Sequence, residues 1–167
     1  EAGWLFGVGV EKVDVVMHRE SIVHSMVEFV DGSVIAHLGR TDMAIPIQYA
    51  LTHPARKQST LSPLDVVRLG ALHFSAPNLE DYPGLALCYD VGRTGGTLPA
   101  ALNAANEVAV AAFLDGSIGF LDIHSVNQAV VDGWEGTAAA DIDTILDTDR
   151  RARQRAQEVV DSCSAVV

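Results

Sequence analysis

Residues 18–39 have the sequence HRESIVHSMVEFVDGSVIAHLG, and this stretch decides the first part of the fold. Apolar and polar residues alternate over 21–30 and again over 33–39, the period-2 pattern of half-buried β-strands. Asp31-Gly32 separates the two runs. This dipeptide favours a type I′ turn, in which both central residues need a positive φ. The sequence therefore predicts a β-hairpin with Asp31 and Gly32 at its tip.

The three histidines of this stretch, His18, His24 and His37, do not have the spacing of a metal site. No H-x-H or H-E-x-x-H pattern and no nearby cysteine completes a ligand set. Strict alternation places His24 on one face with Ile22 and Met26. Two interpretations of His24 stay open, a hydrogen-bonded structural histidine or a catalytic or ligand-binding one. Four others are interpreted as ordinary surface or core histidines: His37, His53, His73 and His124.

The composition limits the classes of partner. The chain has 167 residues and a formal net charge of -11, from 22 acidic residues against 11 Lys and Arg. Nucleic acid and anionic membrane surfaces are therefore unfavourable partners. No apolar run approaches the roughly 20 residues of a membrane span. Cys88 and Cys163 lie far apart and form no C-x-x-C, which favours a soluble protein of the reducing cytoplasm.

The remaining elements of the first half are short. The run at 13–18 is rich in β-branched residues and predicts a strand. Residues 42–54 predict a short helix, with Asp42 as its N-cap and Pro46 in its first turn. Residues 55–80 form an irregular connector, with an apolar run at 69–74 that is interpreted as a strand.

The second half predicts four helices. The first three have N-terminal caps at Asp81, Thr97 and Asp122, and glycines follow their last turns. The fourth, over 141–162, has acids before arginines, an order that complements the helix dipole. The predicted fold class is α+β: a partial mixed sheet with a β-hairpin, followed by a small four-helix bundle. The predicted boundaries are 1–54, a connector over 55–80, a bundle over 81–162 and a tail over 163–167.

Other candidate motifs carry little chemistry. Ser21 near His24 lacks a G-x-S-x-G elbow, and the glycines form no dinucleotide-binding fingerprint. Asn103, Asn106 and Glu107 share one helix face, which is interpreted as a polar seam between helices, with a ligand site as the alternative. The arginines within 150–155 are interpreted as a solvated face paired with the preceding acids.

Several long motifs point to one family. SIVHSMVEFVDGSVIAHLG followed by DMAIPI, then LNAANEVAVAAFL, and then IGFLDI resemble 1-deoxy-D-xylulose 5-phosphate reductoisomerase. EAGWLF at residues 1–6 also resembles this family, so the resemblance extends from residue 1 to about residue 160.

The resemblance implies an activity and a domain order. Family enzymes are oxidoreductases and isomerases of the non-mevalonate pathway of isoprenoid biosynthesis. They convert 1-deoxy-D-xylulose 5-phosphate to 2-C-methyl-D-erythritol 4-phosphate with NADPH and Mg²⁺ or Mn²⁺ (magnesium or manganese). A bacterial, cytoplasmic homodimer is implied. Residues 1–54 would then be a truncated central catalytic and dimerisation domain, followed by the connector and the C-terminal helical bundle.

The resemblance also assigns the site residues. His24 and Met43 match residues that line the family's substrate pocket, and they are the predicted substrate-binding residues. Glu1 matches a glutamate that does not bind the metal. No catalytic, cofactor-binding or metal-binding residue is expected in this chain, which is expected to begin inside a folded element and to be inactive alone. Arg19-Glu20 departs from the family's H-P-Q-S pattern, so the local turn is expected to differ.

The alternative function is a stand-alone, non-catalytic module for dimerisation or partner binding. The large apolar residues Trp4, Leu5 and Phe6 at the start of the chain favour self-association in either case.

Overall fold

The computed structural model describes residues 2–164 in two compact units. Val15–Pro77 form one unit, and the described parts of Glu1–Asp14 and Asn78–Val167 form the other. Glu1 and the last three residues of the predicted 163–167 tail lie outside the described residues. The division into a catalytic domain, a connector and a bundle concerns the whole protein and stays a prediction.

The predicted α+β class is confirmed by the elements of the described residues. A two-stranded antiparallel sheet is formed by β1 (Val23–Glu28) and β2 (Val34–Leu38). The helices are α1 (Ala2–Phe6), α2 (Ala44–Thr52), α3 (Val66–Leu69), α4 (Pro83–Thr94), α5 (Leu98–Leu114), α6 (Asp122–Asp132) and α7 (Ile142–Ser164). A 3-10 turn covers Val10–Lys12. The predicted four-helix bundle corresponds to α4–α7.

The hairpin is confirmed, but its predicted turn type is wrong. Gly32 has a φ of 82°, whereas Asp31 is not among the residues with a positive φ. Gly32 N–H donates to the Phe29 carbonyl, and Phe29 N–H donates to the Ser33 carbonyl, both over 2.9 Å. This pattern is that of a type I turn closed by a left-handed glycine, the usual three-residue hairpin loop. Asp31 contributes its side chain instead, because its Oδ1 accepts from Ser33 N–H over 2.9 Å.

Two strands predicted from apolar runs are wrong. Of residues 13–18, Met17 alone pairs, in an isolated antiparallel bridge with Ser75. The run at 69–74 follows α3 and has no strand of its own. The side chain of Asp65 caps α3, accepting from Val67 N–H and Arg68 N–H over 3.1 Å. Both runs are too short for their apolar content to distinguish a strand from an extended connector.

A histidine–carboxylate cluster joins the two segments that meet at this bridge. The His18 side chain is 5% exposed, and its ring stacks on Phe74 with centroids 4.5 Å apart. Its Nε2 accepts from Ile22 N–H over 3.1 Å, so its Nδ1 carries the hydrogen and donates to the His73 carbonyl over 2.8 Å. Glu20 accepts from His73 Nδ1 over 2.5 Å and lies 3.1 Å from His18 Nδ1. Glu20, which departs from the family pattern, is therefore tied to both histidines.

Helix α2 begins slightly later than predicted. Met43 occupies the N-cap position, although Asp42 Oδ1 accepts from Ala44 N–H over 2.8 Å and so still satisfies a free donor of the first turn. Pro46 lies in the first turn, as predicted.

The predicted caps of the bundle are only partly correct. Tyr82 occupies the N-cap of α4, and Asp81 instead accepts from Asn78 Nδ2 over 3.0 Å. Thr97 is the N-cap residue of α5, but its fully buried hydroxyl accepts from Thr137 N–H over 3.2 Å rather than capping the helix. Asp81 thus has a local side-chain partner and Thr97 a tertiary one, and both bonds compete with the cap.

An alanine face on α5 forms the centre of the bundle core. Ala101, Ala104, Ala105 and Ala109 are all 0% exposed. They pack with Val126 and Val130 of α6 and with three α7 residues, Ala152, Ala156 and Val160. The spacing of three, one and four residues keeps the methyl groups on one side of the helix, where small side chains allow close approach of the neighbouring backbones.

The arginines of α7 pair with preceding acids, as predicted. Arg150 and Arg151 contact Asp147, and Arg153 Nε donates to Asp149 over 2.8 Å. Arg153 also reaches α5, where its Nη2 donates to Glu107 Oε2 over 2.6 Å. This bond, with a second from Asn103, lowers the pKa of Glu107, and the two carboxylates raise the pKa of Arg153.

Replacing Ala105 by Leu is expected to lower the free energy of unfolding by about 1–3 kcal/mol, because the added atoms have no space in this core. Urea denaturation measures the change. Ala111→Leu is the matched control, since Ala111 is an exposed residue of the same helix. Equal stabilities of the two variants would contradict the close packing of the alanine face.

Glu20→Gln is expected to lower the melting temperature at pH 7. It is also expected to reduce the fall in melting temperature that accompanies a lower pH. The hydrogen bond from His73 holds the pKa of Glu20 below its ordinary value of 4.5. A depressed pKa stabilises the fold above pH 4.5, and this contribution is lost as the pH falls through the folded-state pKa. Melting curves between pH 7 and pH 3 test this, with exposed Glu135→Gln as control. Parallel curves for wild type and Glu20→Gln would refute it.

Candidate functional site

A cavity of about 440 Å³ lies beside the hairpin in the unit Val15–Pro77. The predicted substrate-binding residues His24 and Met43 both line it, so the structure brings together two residues that are far apart in sequence. The other lining residues are His37, Arg40, Thr41, Asp42, Ile45, Pro46, Tyr49 and Arg56. A cavity of this size with a few polar groups on an apolar wall is the usual form of a small-molecule site.

A β-bulge determines where His24 points. Val23 pairs with Leu38, but Ser25 pairs with His37, so β1 has one more residue than β2 at this point, and that residue is His24. The rings of His24 and His37 lie 6.0 Å apart. Since Met26 pairs with Ala36, it lies on the opposite face from His37. The prediction that His24 shares a face with Met26 is therefore wrong, because the bulge interrupts the alternation.

The loop after β2 forms the next wall and is anchored by two adjacent side chains. Thr41 Oγ1 donates to the Ser21 carbonyl over 2.8 Å, and Arg40 Nε donates to the Ser62 carbonyl over 2.7 Å. Ser21 itself has a φ of 51°, a left-handed conformation that turns the chain into β1. These bonds hold the loop so that Met43, which is 69% exposed, lies at the edge of the cavity.

Aromatic and cationic side chains close the far wall. The guanidinium of Arg56 lies 4.3 Å from the centre of the Tyr49 ring, and His53 packs edge-on against the same ring at 5.6 Å. Arg40 and Arg56 outnumber the single carboxylate of the lining, Asp42. Guanidinium groups suit carboxylate and phosphate ligands, so the cavity favours a ligand with an anionic group.

Arg40, Tyr49 and Arg56 line the cavity without having been predicted from the sequence. Their positions after β2 and along α2 have no motif of their own, and only the folding of α2 against the loop collects them. The proximity of Arg40 and Asp42 to Met43 in sequence was the one available signal.

Asn103, Asn106 and Glu107 form the predicted polar seam. Asn103 Nδ2 donates to Glu107 Oε1 over 2.9 Å, and Asn127 Nδ2 of α6 donates to Asn106 Oδ1 over 3.0 Å. With the Arg153 bond to Glu107, the seam joins α5 to both α6 and α7.

Residues 2–164 also bear on metal-binding and membrane-spanning sites. They contain no group of three or more His, Cys, Asp or Glu side chains arranged to hold a metal ion. No helix in the described part of the chain has the length and apolar character needed to cross a membrane.

Comparison with known proteins shows one family consistently. The family model described as DXP reductoisomerase C-terminal domain matches residues 38–155. The 1-deoxy-D-xylulose 5-phosphate reductoisomerase of Acetivibrio thermocellus is 49% identical over 160 residues, which are 96% of this chain and 42% of that protein. The enzyme of the same name from Cupriavidus necator is 46% identical over 165 residues, 99% of this chain and 42% of that protein.

Solved structures give the same result. The reductoisomerase from Zymomonas mobilis in complex with NADPH has a TM-score of 0.87 at 38% identity, and the match covers 96% of this chain and 43% of that one. A DOX-P reductoisomerase with fosmidomycin and magnesium has a TM-score of 0.86 at 38% identity, covering 99% of this chain and 43% of that one. This chain thus spans about two fifths of the length of these relatives. In sequence and in fold, it belongs to the DXP reductoisomerase family, in the part that the family model describes as the C-terminal domain.

Proposed function

We propose that this chain provides the C-terminal part of a 1-deoxy-D-xylulose 5-phosphate reductoisomerase, with the cavity beside the hairpin as a wall of its substrate site. The observation that carries this proposal is the joint position of His24 and Met43 on one cavity of about 440 Å³. Both residues match motifs of the family, and they come from different elements of the fold. The whole enzyme would convert 1-deoxy-D-xylulose 5-phosphate to 2-C-methyl-D-erythritol 4-phosphate with NADPH.

His24 binds a substrate oxygen in this proposal. A neutral imidazole can donate from one ring nitrogen and accept with the other, which suits a polyhydroxy substrate. The bulge in β1 aims this ring, and the neighbouring His37 ring limits its freedom on one side.

Met43 and the arginines supply the remaining features of a sugar-phosphate site. Met43 offers a polarizable apolar surface for the flat face of a substrate or nicotinamide ring. Arg40 and Arg56 favour the approach of an anionic substrate, since they exceed the carboxylates of the lining.

The divalent metal is assigned to no residue of this chain. Relatives have been solved with NADPH and with magnesium, so the whole enzyme would use both. Residues 2–164 do not fit a metal, because they contain no suitable group of ligands. The roles derived for this chain are therefore substrate binding and support of the site.

The whole enzyme would be a cytoplasmic homodimer that binds neither nucleic acid nor membranes. The net charge of -11 supports the exclusion of polyanionic partners. Exposed apolar side chains support self-association: Trp4 is 78%, Leu5 78% and Phe6 77% exposed on α1.

His24→Gln is expected to lower kcat/KM roughly ten- to hundredfold, because the flexible glutamine amide does not hold its donor and acceptor at the positions of the two imidazole nitrogens. The assay follows NADPH oxidation in a chimera in which this chain replaces the matching 160 residues of the Acetivibrio thermocellus enzyme. His124→Gln, in the other compact unit, is the matched control and should retain activity.

The 167-residue chain alone should give no NADPH oxidation, since it spans only 42% of that enzyme. Turnover by the chain alone would contradict the proposal. Full activity of the His24→Gln chimera would show that His24 does not bind the substrate. A chimera that folds but is inactive would favour the stand-alone module.

Sedimentation velocity at micromolar concentration is expected to show self-association of the 167-residue chain. The double substitution Leu5→Ser and Phe6→Ser should shift the population towards monomer, because it removes exposed apolar surface. Leu114→Ser, at a residue 76% exposed on α5, is the control. A wild-type chain that sediments as a monomer would count against the homodimer.

A further inference from the structure

A second cavity, of about 710 Å³, lies within the unit that contains the helical bundle. We name it the asparagine groove after Asn103, Asn106 and Asn127, whose side chains line it. Its apolar wall is formed by Trp4, Leu87, Val91 and Leu102. The proposed reaction uses none of these residues.

The seam fixes which polar atoms face a ligand in this groove. Asn127, which is 9% exposed, donates to Asn106 Oδ1, so the Asn106 NH₂ group is left to donate outward. Glu107 accepts from Asn103 Nδ2, so the Asn103 carbonyl is left to accept. Within the described residues, neither the Asn106 NH₂ nor the Asn103 carbonyl has another side-chain partner.

Further hydrogen bonds, on the side away from the groove, fix the orientations of the Asn103 and Asn106 side chains. Arg153 donates to Glu107 over 2.6 Å and is itself held by Asp149, so the carboxylate that orients Asn103 is pinned on its far side. Asn127 Oδ1 is buried and has no hydrogen-bond partner in the described chain. Leaving the buried Oδ1 unpaired is unfavourable, and the hydrogen bond to Asn106 holds the Asn127 amide in this orientation.

The groove is suited to a neutral ligand. Its lining contains no Lys, Arg, Asp or Glu, in contrast to the cavity beside the hairpin. Without a charged group, it lacks the usual means of binding phosphate or a metal ion. An outward donor and an outward acceptor three residues apart on one helix, next to an apolar wall, match a main-chain peptide unit with an apolar side chain.

The relatives indicate the source of such a segment. This chain spans 42% of the Acetivibrio thermocellus enzyme and matches a C-terminal domain, so further chain precedes the matched part in that protein. Trp4, near the start of the matched part, lies in the groove wall. A segment joined to that end is available at high effective concentration.

We propose that the asparagine groove binds a main-chain segment of the N-terminal part of the same polypeptide, with Asn106 donating to a peptide carbonyl and Asn103 accepting from a peptide N–H. The inference rests on the proposed function in one respect, that this chain is the C-terminal part of a longer enzyme, and does not depend on the proposed reaction. It assigns the seam a second role, as the receptor that docks the rest of the enzyme onto the bundle.

Cys88 provides the test, because its exposed thiol lines the groove. Alkylation of Cys88 by iodoacetamide, followed by peptide mass spectrometry, is compared between the 167-residue chain and the Acetivibrio thermocellus chimera. An occupied groove should slow Cys88 alkylation at least roughly tenfold in the chimera. Equal rates would overturn the proposal.

Asn106→Asp sharpens the test, since the carboxylate can still accept from Asn127 but cannot donate outward. In the chimera, this substitution should restore the alkylation rate of the isolated chain. Gln157→Glu, at an exposed α7 residue, adds the same charge elsewhere and should leave Cys88 protected. Protection that persists in Asn106→Asp would also overturn the proposal.

A second measurement does not depend on folding of the chimera. Overlapping peptides of about 15 residues, covering the N-terminal part of the Acetivibrio thermocellus enzyme, are probed with this chain and with its Asn106→Asp variant. A contiguous set of peptides should bind the wild-type chain and lose binding to the variant. Absence of such a set would reject the groove as a peptide site. If the chimera turns over substrate but Cys88 is not protected, the groove proposal is rejected and the proposed reaction stands. If Cys88 is protected but the chimera does not turn over substrate, only the proposed reaction is rejected.

Discussion

The close packing of α5 against α6 and α7 is the constraint on which the helical unit depends. Its alanine face places only methyl groups on the α5 side of these interfaces, which allows close approach of the neighbouring helices. This packing places Asn106 within hydrogen-bond reach of Asn127, and Glu107 within reach of Arg153. The polar seam is thus a consequence of the apolar core, since larger core residues would move these partners apart.

The cavity beside the hairpin depends on irregular features instead. A bulge at His24, a left-handed Ser21 and two side chain to main chain bonds from Arg40 and Thr41 shape its walls. Bulges and left-handed residues often occur where a side chain must be aimed at a ligand. The contrast between the two cavities follows from their linings, because one is rich in arginine and histidine and the other has only neutral side chains.

Sequence patterns predicted the long elements better than the short ones. The bundle helices have enough turns for their periodicity and flanking glycines to be decisive, and α7 extends only slightly beyond the predicted end. The runs at 13–18 and 69–74 have strand-like composition but only an isolated bridge at Met17 and Ser75. Predicted caps at Asp81 and Thr97 were wrong in detail, because Asp81 accepts from the nearby Asn78 side chain and the Thr97 hydroxyl accepts from Thr137, which is distant in sequence.

The sequence by itself determined the α+β class, the hairpin around Asp31-Gly32, the four bundle helices and the family resemblance that singled out His24 and Met43. These features depend on neighbouring residues along the chain or on long motifs, and both can be identified in the amino-acid sequence. Only the tertiary structure decided that a bulge turns His24 towards His37, that Arg40 and Arg56 join the same cavity, and that Asn103 and Asn106 present a matched acceptor and donor. The physical reason is that each of these arrangements depends on hydrogen bonds and packing between residues distant in sequence, whose register no local pattern encodes.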